Sequence, residues 1–168
     1  MVMIDSTEQI HGLCLELAEL LRARSDRLVV AESCTGGWVA KVLTDLPGSS
    51  DWFDRGYVSY SNQAKQSMLG VSAETLAQFG AVSLQTVREM TQGALQQSGA
   101  DLALAVSGIA GPGGGSQDKP VGTVCFSWQT TNRDPLLELC CFAGDREEVR
   151  LQTVEHALRQ LIRLVENV

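Results

Sequence analysis

The sequence predicts an α/β fold, a three-layer sandwich in which a mixed β-sheet is flanked by helices. Segments with apolar residues at helical spacing alternate with short apolar runs of strand length. Two neighbouring strand-like runs near the carboxyl terminus favour a hairpin, which makes the expected sheet mixed rather than purely parallel. The 168 residues show no internal repeat and no low-complexity linker, so a single domain is expected over residues 1–168.

The first predicted element is an amphipathic helix over residues 7–24. Its apolar side chains recur every three or four positions, and charged side chains occupy the opposite face. These apolar residues are Ile10, Leu13, Leu17, Leu20 and Leu21. Further helices are predicted over residues 37–44, 64–69, 73–78 and 84–97, and after Asp145.

Strands are predicted from short apolar or alternating runs, at residues 28–31, 57–60, 101–106, 122–129 and 136–142. Several helix boundaries carry their own signals. Ser72 and Ser83 are expected N-caps, and Gly99 is expected to end the helix that precedes it. Asp145, with Glu148 three residues later, has the pattern of a capping box at the start of the last helix.

Composition narrows the possible classes of function. The formal net charge is −7 and the 13 lysines and arginines form no basic run, so a nucleic acid is not an expected partner. No stretch approaches the ~18 uninterrupted apolar residues of a membrane helix, so no membrane association is expected. The first twelve residues lack the regions of a signal peptide, and the five cysteines show no zinc-site spacing. A cytoplasmic location with reduced thiols is therefore expected.

Residues 31–37, Ala-Glu-Ser-Cys-Thr-Gly-Gly, form the first candidate site. An apolar strand runs into a glycine-bounded turn and then a helix, so small polar side chains meet unpaired N–H groups that can hold an anion or an oxyanion. Ser33, Cys34 and Thr35 are the nucleophile types there. The alternative is that Ser33 or Thr35 only caps the helix. Cys34 ranks below Ser33 because no histidine stands near it in the sequence to activate the thiol.

Tyr60 and Lys65 form the second candidate site, at the end of a predicted strand and the start of a helix. A serine hydroxyl needs a base within hydrogen-bond reach, and a lysine serves as that base only when its pKa is lowered. A tyrosine hydroxyl can relay a proton or hold the amine. The alternative is that Lys65 is an ordinary solvated surface charge.

A glycine-rich loop at residues 107–116 is the third candidate, because its glycines allow a ligand to approach the backbone closely. Its spacing matches neither the P-loop nor the dinucleotide-binding fingerprint. A loop without function is the alternative. Arg146, at the start of the last helix, is the fourth candidate, as a phosphate contact or as a simple surface charge.

Metal and histidine catalysis find little support in the sequence. His11 and His156 both lie on predicted helices without a spaced partner, and the cysteines show no ligand pattern. A Ser-His-Asp triad is equally unpromising. A metal ion is therefore not expected.

Taken together, these segments resemble the CinA carboxy-terminal-domain family, and most closely its stand-alone members, the nicotinamide-nucleotide amidohydrolases. The resemblance runs from about residue 17 to residue 164. Its most specific pieces, which occur in the family's order, are residues 31–37, 60–65, 106–112, 119–124 and 142–146.

The resemblance implies hydrolysis of nicotinamide mononucleotide to nicotinic acid mononucleotide and ammonia, without a cofactor. It places the nucleophile on Ser33, the base on Lys65 and an assisting role on Tyr60. Neutral Lys65 would take the Ser33 proton, and Tyr60 would orient the amine or pass the proton to ammonia. The residues implied to bind this nucleotide substrate are Cys34, Thr35, Gly36, Ser107, Gly108, Gly111 and Arg146.

Two other classes of function stay open. The chain could be a catalytically inactive nucleotide-binding module or a partner of competence or DNA-damage proteins. The presence of Ser33, Tyr60 and Lys65 argues against a loss of catalytic activity. It could also be another amidase or a nucleotide pyrophosphatase. Pyrophosphate cleavage generally needs Mg²⁺ held by clustered carboxylates, and no such cluster lies near the glycine-rich turns. A homodimer is expected, as for similar small α/β domains.

Overall fold

A computed structural model describes residues 6–168 of the chain. Residues 1–5 lie outside the described part, and with them part of the segment on which the signal-peptide expectation rests. The helices are α1 (Ser6–Arg24), α2 (Trp38–Thr44), α3 (Asn62–Leu69), α4 (Ala73–Phe79), α5 (Leu84–Ser98) and α6 (Arg146–Glu166). The strands are β1 (Leu28–Glu32), β2 (Phe53–Val58), β3 (Leu102–Gly108), β4 (Thr123–Thr130) and β5 (Leu136–Cys141). None of the described helices is long and apolar enough to cross a membrane.

The five strands form one sheet in the order β2-β1-β3-β4-β5. β1 pairs in parallel with both β2 and β3. β4 runs antiparallel to β3, and β5 runs antiparallel to β4 as the second arm of a hairpin. The sheet is therefore mixed, as the sequence predicts.

Helices cover both faces of the sheet, and strand alternation decides which side chain meets which layer. Leu28 and Val30 of β1 pack into a cluster with α1, α2 and α6. Val29 and Ala31, which point the other way, pack with α3, α4 and α5. The predicted three-layer sandwich is confirmed.

β2 is the one element whose predicted position is clearly wrong. It was expected at residues 57–60 and spans Phe53–Val58. Its Asp54-Arg55-Gly56 centre hides the strand pattern, because β2 is an edge strand, where Arg55 reaches solvent and Asp54 pairs with Arg27 and Arg55. Tyr60 consequently lies in the connection after the strand. The other predicted elements agree with the structure to within two residues, and a 3₁₀ turn at Ser49–Asp51 was not predicted.

The predicted helix caps are all present. The Ser72 and Ser83 side chains accept bonds from the third residue of their helices, and Gly99 ends α5 in the left-handed conformation. Asp145 and Glu148 form the reciprocal capping box of α6. These local interactions fix where α4, α5 and α6 begin or end.

β1, β2 and β3 are parallel, so their carboxyl ends meet at the same edge of the sheet. The turn after β1, the connection after β2 and the glycine-rich loop after β3 all emerge there. Ligands of open α/β sheets bind outside the carboxyl ends of the strands. The fold thus brings three of the four candidate segments to one edge.

Candidate active site

A cleft of about 190 Å³ opens at this edge of the sheet. It is lined by Ser33, Cys34, Tyr60, Lys65, Ala81, Val82, Ser107, Gly108, Ala110 and Arg146. Seven of the ten residues that the sequence singles out therefore line one cleft. The other three, Thr35, Gly36 and Gly111, do not line it but lie in the segments that form it.

Ser33 is the first residue after β1. Its backbone N–H donates to the Val106 carbonyl at 3.1 Å, which extends the β1–β3 pairing by one residue and fixes where the side chain stands. The side chain is almost fully buried, and its Oγ lies 2.9 Å from Nζ of Lys65. The predicted nucleophile and base are thus within hydrogen-bond distance.

Lys65 is held by backbone groups. It lies in α3, whose start is fixed by the side chain of Ser61 as N-cap. Besides Ser33, its Nζ contacts the carbonyl oxygens of Ser59 at 2.8 Å and Tyr60 at 3.3 Å. Only 1% of the residue is exposed, so the alternative of a solvated surface charge is wrong.

The environment of the Lys65 amine favours its neutral form. No carboxylate among residues 6–168 forms an ion pair with it, and burial lowers its pKa. Two of its three neighbours are carbonyls, which only accept hydrogen bonds, while the Ser33 hydroxyl can donate. A neutral amine can satisfy this set by donating to the two carbonyls and directing its lone pair at the hydroxyl, and a charged amine can satisfy it by donating to Oγ of Ser33 as well. Burial is therefore what favours the neutral form.

Glu32, which was not singled out from the sequence, organises the turn after β1. Its buried carboxylate accepts from the Thr35 hydroxyl at 2.6 Å and from the backbone N–H groups of Val39 and Ala40 at 2.9 and 3.0 Å. Gly37 is the N-cap residue of α2 and offers no side-chain bond. The cap is therefore supplied by Glu32, and the interpretation of Ser33 or Thr35 as a mere helix cap is wrong.

The turn leaves two backbone donors unused. The N–H groups of Cys34 and Thr35 donate to no protein oxygen in the described part of the chain, whereas the N–H of Gly36 donates to the Ser33 carbonyl. The Cys34 thiol is buried beside these donors, and burial raises its pKa to about 11. A thiol with so high a pKa is a poor nucleophile, which supports the ranking of Cys34 below Ser33.

Arg150 of α6 clamps the same turn and was also missed. Its Nε donates to the Cys34 carbonyl and its Nη2 to the Thr35 carbonyl, each at 3.1 Å. The guanidinium stacks on the Trp38 ring at 5.3 Å. The clamp bridges residues more than 100 positions apart, so no local signal could have revealed it.

Tyr60 contacts Lys65 through a different group from the one that the sequence predicts. Its carbonyl, not its hydroxyl, contacts the Lys65 amine. The side chain is 58% exposed, and its hydroxyl accepts a bond from Nη2 of Arg146 at 3.1 Å. Nη1 of Arg146 donates to the Gly111 carbonyl at 2.7 Å, so Arg146 links Tyr60 to the glycine-rich loop.

The residues of the glycine-rich loop form a wall of the cleft. The Ser107 hydroxyl donates to the Ala81 carbonyl at 2.8 Å and so joins β3 to the opposite wall. A side chain on Gly108 would lie 2.7 Å from Val124 of β4, and Gly111 has a φ of +88°, which favours glycine. Lys119, farther along the loop, binds the Phe79 carbonyl at the end of α4.

A second, wider hollow of about 860 Å³ adjoins the cleft and shares Ala110 and Arg146 with it. We call it the basin. Its other lining residues are Trp38, Pro112, Val121, Gly144, Asp145, Glu147 and Arg150. The basin therefore presents two guanidinium groups beside an aromatic ring, with two carboxylates on the same wall.

Comparison with known proteins finds matches over nearly the whole chain. The model of the family described as CinA C-terminal domain matches residues 11–165. The nicotinamide-nucleotide amidohydrolase PncC of Escherichia coli K12 is 52% identical over 159 residues, which cover 95% of each chain. Its namesake from Pseudomonas putida is 49% identical and covers 94% of this chain and 98% of its own. A crystal structure of a CinA superfamily protein from Klebsiella pneumoniae 700603 superposes with a TM-score of 0.91 at 41% identity, covering 95% of this chain and 99% of that one.

Proposed function

The chain belongs to the CinA C-terminal domain family, and we propose that it hydrolyses the carboxamide of nicotinamide mononucleotide, releasing nicotinic acid mononucleotide and ammonia. Relatives named for nicotinamide-nucleotide amidohydrolysis match nearly its whole length at about half identity. The observation that carries the proposal is the 2.9 Å contact between Ser33 Oγ and a buried lysine amine that has no carboxylate partner among the described residues.

In the proposed reaction, the neutral Lys65 amine takes the Ser33 proton while Oγ attacks the carboxamide carbon. The unused N–H groups of Cys34 and Thr35 receive the negative charge that develops on the carboxamide oxygen, and one such donor is typically worth about 3–4 kcal/mol. When the C–N bond breaks, the proton on Lys65 passes to the leaving ammonia. Water, deprotonated by the same amine, then cleaves the acyl ester, so that one water is consumed for each ammonia released.

The sizes of the two hollows suggest which part of the substrate binds in each. A volume of about 190 Å³ is below the roughly 300–1,000 Å³ of a typical ligand pocket, so the cleft alone suits the pyridine ring and its carboxamide. The ribose and phosphate then extend past Arg146 into the basin. There the guanidiniums of Arg146 and Arg150 are the cations available to a phosphate.

We assign Tyr60 two parts in this scheme. Its carbonyl orients the Lys65 amine, and its hydroxyl holds Arg146 over the passage between cleft and basin. The scheme needs no cofactor. The homodimer, the cytoplasmic location, the single domain over 1–168 and the lack of nucleic-acid partners stay predictions from the sequence.

The decisive experiment measures ammonia release from nicotinamide mononucleotide, with a chelator present, for Ser33→Ala and Cys34→Ala. Loss of the nucleophile should reduce kcat by about 10³-fold or more. Cys34→Ala, the matched control in the same turn, should stay within about tenfold of the parent because only its backbone takes part. An active serine variant, or inactivity of the cysteine variant alone, would overturn the assignment.

The same assay separates the alternatives. Equal release from the mononucleotide and from free nicotinamide would indicate an amidase of other specificity. Absence of release from the mononucleotide, the riboside and free nicotinamide would favour the inactive binding module.

A further inference from the structure

Three side chains of metal-ligating type meet on the outer part of the sheet, on the face that α6 covers. Glu138 and Cys140 alternate along β5 and so point to the same side, and His156 reaches them from α6. Nε2 of His156 lies 3.0 Å from Oε2 of Glu138 and 3.6 Å from Sγ of Cys140. Sγ of Cys140 lies 3.6 Å from Oε1 of Glu138. We call these three residues the β5–α6 triad.

The spacing of the β5–α6 triad matches the edges of a tetrahedral metal site. A Zn²⁺ ion with bonds of about 2.3 Å to sulfur and about 2.0 Å to nitrogen and oxygen holds sulfur about 3.5 Å from the other two ligands. It holds nitrogen and oxygen about 3.3 Å apart. The carboxylate meets its two partners through different oxygens, and rotation about its broad terminal torsion can bring one oxygen to both.

The surroundings of His156 preorganise it as a ligand. Its ring packs edge-on against Phe126 at 5.0 Å and Phe142 at 5.9 Å, which restrains its orientation. Its Nε2 atom faces Glu138 and Cys140. The side chains of His156 and Glu138 keep 23% and 37% of their surface exposed, so an ion can reach them from solvent.

We propose that Glu138, Cys140 and His156 bind a divalent transition-metal ion of the zinc class, with solvent as the fourth ligand. One thiolate, one imidazole and one carboxylate form a donor set that such ions prefer and that Mg²⁺ and Ca²⁺ do not. The sequence shows no zinc-site spacing because the ligands come from two elements, with His156 16 residues from Cys140 and 18 from Glu138.

The bound ion ties β5 to α6 across the connection that ends at Arg146. It lies outside both the cleft and the basin, whose lining residues include no member of the triad. Its expected effect is therefore on stability and on the placement of the start of α6. The chemical step proposed for Ser33 does not involve the ion, so each proposal can be tested and rejected independently of the other.

The test is titration of the chelator-treated full-length protein with Co²⁺, an absorbing substitute for Zn²⁺. One equivalent should produce tetrahedral Co²⁺ bands in the visible and a sulfur-to-metal charge-transfer band in the near ultraviolet. His156→Gln should weaken Co²⁺ binding by more than about tenfold, and Cys140→Ser should abolish the charge-transfer band.

Cys141→Ser is the matched control, because the neighbouring thiol lies on the opposite side of β5 and is exposed. It should keep the band and the rise in melting temperature that added Zn²⁺ gives the parent. A parent protein without the band, or a Cys140→Ser variant that retains it, would overturn the proposal. The β5–α6 triad would then be a histidine–glutamate ion pair beside a thiol.

Discussion

The cleft and the basin share two lining residues but are built on different principles. In the cleft, main-chain groups hold the two residues proposed to react: two carbonyls bind the Lys65 amine, and strand pairing fixes Ser33. In the basin, charged side chains line an open hollow more than four times as large. This difference suggests that the cleft is preorganised for chemistry and that the basin selects the substrate. Changes in the cleft should therefore lower kcat, and changes in the basin should raise KM.

Lys65→Met is the most direct test of the role proposed for the cleft. The variant keeps the apolar stem but removes the base, so kcat should fall about 10²–10⁴-fold while substrate binding changes little. Lys65→Arg should be equally inactive, because a guanidinium does not lose its proton at the working pH. Single-turnover ammonia release measures the effect, and thermal melting checks that both variants fold. A Lys65→Arg enzyme with near-parental kcat would remove the amine from its proposed role as base.

The pH–rate profile of the parent enzyme tests the same amine without a mutation. Burial lowers the pKa of Lys65 below the ordinary 10.5, and the neutral form, which is the proposed base, grows as pH rises. We expect kcat/KM to climb about tenfold per pH unit on the acid side of that lowered pKa and then level off. A profile still climbing through pH 10.5 would show that the amine titrates as an exposed lysine does.

Arg150 lines the basin and also binds the turn that follows Ser33. Its replacement therefore tests whether it acts on kcat through the turn or on KM through the basin. Arg150→Met removes both bonds to the carbonyls of the turn after Ser33, and a displacement of the turn by ~1 Å can cost about 10²-fold in rate. We expect kcat to fall about 10–100-fold. Arg159→Met, on the same helix with an ion pair to Glu155, is the control and should be near parental.

A pure KM effect in Arg150→Met would instead place this residue wholly in the basin. The clamp on the turn would then have no kinetic consequence.

The features that the sequence predicted correctly are mostly those set by interactions between residues close together in the chain. The Asp145–Glu148 capping box depends on neighbours a few positions apart and was predicted in place. The position of the turn after β1 was also predicted, from the apolar strand and the glycines that bound it, although its contact with Arg150 was not. The alternation of helices with apolar strands fixed the layers for the same reason. β2 was misplaced because an edge strand tolerates polar residues that a central strand excludes.

The missed contacts are those that only the fold creates. Glu32 caps a helix from the end of a strand, a role that favours Ser, Thr, Asp or Asn in sequence statistics. Arg150 reaches the Ser33 turn across 115 residues or more. The Tyr60 hydroxyl contacts Arg146 from 86 positions away, so no local pattern could have indicated this bond.

Arg146→Met tests the basin. If Arg146 contacts the phosphate, the variant loses one charge-assisted bond, and KM for the mononucleotide should rise roughly tenfold with little change in kcat. The riboside, which lacks the phosphate, should be processed equally by parent and variant. A similar rise in KM for both substrates would mean that Arg146 shapes the passage without contacting phosphate.

Tyr60→Phe should have the smallest effect, and it separates two roles for one residue. The backbone carbonyl that orients Lys65 survives the change, while the hydroxyl bond to Arg146 is lost. A neutral hydrogen bond is worth roughly 1 kcal/mol, so KM should rise about threefold to fivefold and kcat should stay near parental. If the hydroxyl instead relays a proton to ammonia, kcat must fall by about 10²-fold or more. Because Arg146→Met breaks the same bond from its other end, combining the two changes should add little to the KM of Arg146→Met alone.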